Sequence, residues 1–291
     1  MKIEVFQPSL DIQVKPDPNT AILIPSILAG SLWQRDENGA LVESDLTQRA
    51  RGVADMTGQT VFALQRLTSD DLKHRPKGAF GLPVSYSKTE YDDVVATYSS
   101  KVAEALETST KATKLEVLGA SSGGTVALRL GRYSELPIEA VHVFDSMAMR
   151  EQSPVSAFGR WVADMLLREA RRPDLQRNHN SLPYPVKSET GALVDMWMHR
   201  KIWTSDMAYQ DATALAEDPN APKVHIYLPE NSFTIGAIGD VLRIRNELLR
   251  ARKGKPNQFT VETAPVLHSA TDDYGQLVRV LDGSIKYGYQ D

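Results

Sequence analysis

Ser121 stands between two glycines in the stretch Gly119-Ala120-Ser121-Ser122-Gly123, which joins a strand-like run, KLEVLG, to a segment with helical spacing. A strand that stops at a glycine, turns sharply and enters a helix lifts one side chain above the sheet edge. The positions beside it must be glycine or very small, because neighbouring backbone approaches closely. A serine hydroxyl held there can attack a carbonyl carbon. The N–H of Ser122, at the start of the helix, can then bind the oxyanion that forms. The same letters also fit a glycine-rich turn without chemistry, or a phosphate cradle. The stretch lacks the Lys-Ser/Thr ending of a P-loop and the spacing of a dinucleotide-binding turn.

A serine needs a base. Of the six histidines, His142 and His225 fall inside predicted strands and read as core residues. His179 and His199 lie in a segment without strand character, and His74 in a polar loop. His268 alone follows the last predicted strand and precedes a final helix, which in a parallel sheet puts it on the same rim as Ser121. An acid is then needed to fix the imidazole tautomer. Two candidates end strands in the order serine, acid, histidine: Glu230 after VHIYLP, and Asp145 after VHVF.

The elements that must hold these groups follow from the hydrophobic pattern. KIEVFQ and LDIQVK alternate at period two and read as opening strands, and TAILIPSIL is a continuous apolar run expected of a strand buried on both faces. ESDLTQRARGVADMTG reads as a helix closed by Gly58, and TVFALQR as a strand. Tyr91, Val94, Val95, Tyr98, Val102, Ala105 and Leu106 share one helical face. KLEVLG, IEAVHVF, KVHIYLP and QFTVETAP supply further strands, with helices predicted over 235–254 and 273–285. Strand alternating with helix predicts an α/β fold, a mostly parallel sheet flanked by helices.

The alternation breaks between about Ser146 and Pro219. Phe158, Trp161, Val162, Met165 and Leu166 fall at helical spacing there, and Trp161, Trp197, Trp203 and six methionines lie in the same stretch. It reads as a helical insertion. The expected division is a core of 1–145 and 220–291 with a cap of 146–219. The cap's methionines and tryptophans fit an adaptable apolar pocket, and equally the packing of cap helices on one another.

The 291 residues are 42% hydrophobic and 24% charged, ordinary for a soluble globular chain. A net charge of −4 gives no electrostatic reason for nucleic-acid or anionic-membrane binding. Two basic stretches, REARRPDLQR and RIRNELLRARKGK, have helical spacing and read as solvated faces. Without cysteine there is no thiolate chemistry and no disulfide, in keeping with a cytoplasmic setting. The charged, alternating first residues do not read as a signal peptide, and no apolar run approaches a membrane span.

Over nearly its whole length the chain resembles the α/β-hydrolases, in the subgroup with a helical cap. LEVLGASSGGTVAL is similar to the turn that carries the nucleophile, and VLHSATDDYGQLVRVL to the histidine loop and last helix. The resemblance implies Ser121 as nucleophile, His268 as base, and an oxyanion hole of the Ser122 and Ile27 N–H groups. It implies acyl transfer to water on a small to medium apolar ester, with no metal or organic cofactor. Pro25 and Ser26 stand where the family often has His-Gly, and Glu230 where it usually has aspartate. An acyltransferase with the same residues, or a ligand-binding protein on the same fold, are the other readings the sequence leaves open.

Overall fold

The computed structural model describes residues 3–8, 19–25, 33–35, 41–43, 45–64, 76–78, 84–160, 163, 199–230, 235–252 and 258–264. Its strands are β1 (Ile3–Phe6), β2 (Thr20–Pro25), β3 (Trp33–Arg35), β4 (Leu41–Glu43), β5 (Thr60–Leu64), β6 (Lys114–Ala120), β7 (Ile138–Phe144), β8 (Lys223–Pro229) and β9 (Phe259–Ala264). The helices are α1 (Asp45–Thr57), α2 (Lys88–Ser109), α3 (Ser122–Tyr133), α4 (Met207–Glu217) and α5 (Ile238–Ala251). Short helical stretches also cover 154–160 and 199–203.

Among the described residues seven strands form one sheet in the order β1-β5-β2-β6-β7-β8-β9, and β3 pairs with β4 in a separate ribbon. Among the described residues only β1 is antiparallel to its neighbour in the sheet; the other pairings are parallel. The chain runs from β2 outward to β5, then crosses back to β6 on the other side of β2. The direction of winding therefore reverses between β2 and β6, and in open α/β sheets the usual ligand site lies outside the strands' C-terminal ends beside such a reversal. In β2 and β6 those ends are Pro25 and Ala120.

The continuous apolar runs are there because both faces are covered. Ala21, Leu23, Phe62, Val117, Val141, Val143, Val224 and Ile226 point to one face and join Tyr91, Val95 and Val102 of α2, Val126 and Leu130 of α3, and Val241 and Ile244 of α5. Ile22, Ile24, Val61, Ala63, Leu118, Phe144 and Tyr227 point to the other, against Ala50, Val53 and Ala54 of α1. Helix α2 begins at a capping box, in which the Glu90 N–H donates to Ser87 Oγ at 3.2 Å and the Ser87 N–H to Glu90 Oε2 at 2.7 Å. Gly58 closes α1 with φ 70°, its N–H donating to the Ala54 carbonyl at 2.8 Å.

The expected cap is described only at its two ends. Phe158, the first residue of the predicted stripe, is 46% exposed, and Trp161, Val162, Met165 and Leu166 lie outside the described residues. At the other end, Ile202, Trp203, Met207, Ala208, Ala212 and Leu215 belong to the same apolar cluster as the sheet. Helix α4 thus packs on α3 as part of the covering layer. Its Asp211, 1% exposed, accepts from Arg129 Nη1 at 2.9 Å and Arg132 Nη1 at 2.7 Å, while Arg129 also pairs with Asp92 of α2. This network, buried at Arg129 and Asp211, ties α2, α3 and α4 together. LDIQVK and the predicted helix over 273–285 lie outside the described residues. Among the described residues no helix is long and apolar enough to cross a membrane.

Candidate active site

β6 ends at Ala120 and α3 begins at Ser122, so Ser121 makes the whole turn between them. Its backbone lies at φ 54° and ψ −122°, a conformation that favours glycine. The position is over-determined. The Ser121 N–H donates to the Phe144 carbonyl at 3.0 Å, and the Ser121 carbonyl accepts from Gly124 N–H and Met147 N–H, each at 3.1 Å. Serine at a helix N-cap normally turns its hydroxyl back onto the first-turn amides. Here Ser121 makes no side-chain capping bond, so its Oγ is not spent on the helix. Ser122 opens α3, and the first N–H groups of a helix have no intrahelical acceptor.

The flanking glycines are required sterically. A Cβ on Gly119 would lie 2.4 Å from the Gly123 carbonyl oxygen and 2.7 Å from Ala127 Cβ. A Cβ on Gly124 would lie 2.9 Å from Ser146 Cβ. The turn therefore depends on β7's exit segment as much as on its own glycines. Thr125 Oγ1 donates to the Met147 carbonyl at 2.9 Å, and Ser146 Oγ to the same carbonyl at 2.8 Å. That exit segment is itself contorted: Asp145 has φ 45° and Ala148 φ 60°. With Ser121 these are the non-glycine residues of positive φ among the described residues, and all three sit on one stretch of rim. Backbone strain gathered in this way marks functional sites.

The two candidate acids occupy neighbouring strand ends. Ala120 is level with Phe144, and Phe144 with Tyr227, while the Asp145 N–H donates to the Tyr227 carbonyl at 2.9 Å. Asp145 is therefore beside Ser121, one strand across, and wholly buried. Glu230 follows Pro229 at the end of β8, two strands from β6, and is half-buried. His268 and Ile27 lie outside the described residues.

The remaining described histidines have other surroundings. His142 and His225 are cross-strand neighbours, their rings stacked with centroids 5.0 Å apart, on the sheet face that carries Leu118 and Phe144. His225 Nδ1 is 2.9 Å from Thr260 Oγ1, and its pKa is lowered to about 4 by burial first, then by His142 and Lys223, with Glu116 opposing. His199, 3% exposed, lies between Tyr86 at 5.1 Å and Trp203 at 6.0 Å between ring centroids. Met149, Met207 and Trp203 are buried in the main apolar core. Among the described residues no group of three or more His, Asp or Glu side chains is arranged to hold a metal ion.

A mostly parallel sheet with a strained serine at the end of β6, beside the point where the winding reverses, defines the class: the chain has the α/β-hydrolase fold. A solved structure with this architecture, the enol-lactonase from Burkholderia xenovorans LB400, superposes with a TM-score of 0.55 at 14% identity, over 97% of this chain and 95% of that one. MenH from S. aureus gives a TM-score of 0.48 at 11% identity, over 98% and 97% of the two chains. The monoacylglycerol lipase from Paleococcus ferrophilus gives 0.46 at 14% identity, over 96% and 98%. No family model matches the chain, and no curated protein matches it in sequence. Likeness at this identity establishes the fold and not the reaction.

Proposed function

We propose that the chain is a serine hydrolase that cleaves an ester or related acyl bond, with Ser121 as nucleophile. The observation that carries this is the Ser121 backbone itself: a serine held at φ 54° with no capping bond from its hydroxyl, where glycine would fit at less cost. A merely structural turn gives no reason to keep a hydroxyl in that place.

In this mechanism Ser121 Oγ attacks the substrate carbonyl carbon as its proton passes to His268. The tetrahedral oxyanion is held by the N–H of Ser122 at the start of α3 and by that of Ile27, two residues past the end of β2 on the neighbouring strand. Collapse breaks the acyl–oxygen bond, and the departing alcohol takes the proton from the imidazolium. Water, deprotonated by the same imidazole, then attacks the acyl-enzyme and releases the carboxylic acid and Ser121.

Glu230 is the acid that holds the imidazole, with Asp145 as the alternative on the adjacent strand. β9 lies three strands from β6, about 14 Å at the usual strand spacing. The four residues from Ala264 to His268 can span about that distance when extended, which is compatible with a histidine reaching back over the rim.

A fluorophosphonate probe tests the proposal. Wild type is expected to be modified at Ser121, and Ser121→Ala and His268→Ala are expected to remain unlabelled. A folded wild-type protein that labels at no serine would overturn the hydrolase and leave a ligand-binding protein on a hydrolase fold.

A further inference from the structure

A second cluster stands on the same rim. Arg150 lies six residues beyond the end of β7, and the segment Ile235–Asp240 leads from β8 into α5. Arg150 Nη1 pairs with Asp240 Oδ2 at 2.5 Å, and Arg160 Nη1 donates to the Ile235 carbonyl at 3.1 Å. Arg243 reaches Asp240 only at 3.8 Å and is shared with Glu247 at 3.3 Å. Among the described residues three guanidiniums thus face two carboxylates, and Arg160 has no ion pair there.

Gly236 makes the convergence possible. Its φ is 147°, and a Cβ there would lie 2.5 Å from Asp240 Oδ2 and 2.7 Å from Arg160 Nη1. Arg150 Nε is buried without a hydrogen-bond partner. A cationic donor left in that state is costly unless an anion completes it. Burial, and then the like charge of Arg150, hold the Arg160 guanidinium below its usual pKa, with Asp240 opposing. An added anion would relieve that repulsion.

We propose that Arg150 and Arg160, gathered around Gly236, receive a carboxylate carried by the substrate, so that the preferred ester bears an anionic group at the end remote from the bond that Ser121 cleaves. A carboxylate suits the planar fork that each guanidinium presents. The proposal rests on the hydrolase reading, and it gives the substrate a class that the apolar composition of the insertion does not suggest. If the arginines only brace the exits of β7 and β8, their loss will damage all substrates alike.

The test compares p-nitrophenyl hydrogen glutarate with p-nitrophenyl valerate, which has the same chain length and no carboxylate. Wild type is expected to favour the glutarate ester in kcat/KM. Arg150→Gln and Arg160→Gln are expected to reduce that preference about 10- to 100-fold, mostly through KM, as for the loss of a charge-assisted hydrogen bond. Arg160→Lys is expected to restore part of it. Gly236→Ala, which removes no charge, is expected to reduce it too. A preference unchanged in both glutamine variants overturns the subsite. If neither ester is cleaved, the hydrolase reading fails separately, and calorimetry with glutarate on Ser121→Ala decides. Binding that is lost when Arg160→Gln is added upholds the subsite, and no binding overturns it.

Discussion

Replacing Ser121 by glycine should leave a more stable protein than replacing it by alanine. Both changes remove the hydroxyl, so their difference isolates the backbone. At φ 54° and ψ −122° a residue with a Cβ bears a strain of about 1–3 kcal/mol, which glycine does not. Glycine in turn loses about 0.4–1 kcal/mol through the greater freedom of its unfolded chain. The balance favours Ser121→Gly by about 1–2 kcal/mol. At about 2–4 °C per kcal/mol for a chain of a few hundred residues, its melting midpoint should lie about 2–8 °C above that of Ser121→Ala. Scanning calorimetry measures both, and neither variant should label with a fluorophosphonate. Ser122 provides the control. As the first residue of α3 it has no positive φ to relieve, and glycine there loses about 0.4–1 kcal/mol relative to alanine through its unfolded chain, so the order of the same pair of substitutions should reverse. Equal midpoints for the two Ser121 variants, or a lower one for glycine, would show that the serine is not strained and would remove the main support for its catalytic role.

Glu230→Gln is expected to lower turnover of an activated ester by orders of magnitude and Asp145→Asn by much less; steady-state rates decide, and the opposite ranking assigns the imidazole's partner to β7. Arg129→Met strands Asp211 in the core with only Arg132 beside it, and should cost about 3–5 kcal/mol in urea unfolding; a loss under about 1 kcal/mol would mean the network does not join the helices as described. His225 binds its proton in the unfolded chain at its ordinary pKa of 6.5 but in the fold only near 4. Its contribution to stability is therefore full above pH 6.5 and is lost as the pH falls toward 4. Urea midpoints between pH 8 and 4.5 should fall less steeply for His225→Gln than for wild type, and identical slopes would contradict the assignment.

Much of the scaffold is written in local patterns. TAILIP is apolar throughout because a parallel strand is covered on both faces, and all six of its residues are buried. Tyr91, Val95, Tyr98, Val102 and Leu106 recur at the helical period and form the buried side of α2. Gly119 and Gly123 around Ser121 announce a tight strand–helix turn, since only small residues allow the approach that Gly119 makes to the Gly123 carbonyl. His142 and His225, assigned to the sheet interior by the strands around them, pair there. Phe158 shows the limit of periodicity: helical spacing identifies a face, but what covers it is set by other segments.

The surroundings of Ser121 have no such local signature. Nothing in the letters of Ala148 foretells a positive φ, and Asp145 is only a residue that tolerates one. Gly124 has to be small because Ser146, from the next strand, lies against it. The grouping of Arg150, Arg160 and Asp240 depends on two rim segments about 80 residues apart in the chain. The sequence by itself determined the sheet, its helices and a serine poised at a sharp turn, because periodicity and glycine placement act between residues close in the chain. The tertiary structure alone decided which strand ends stand beside that serine, because parallel pairing joins distant segments and its register belongs to the assembled sheet.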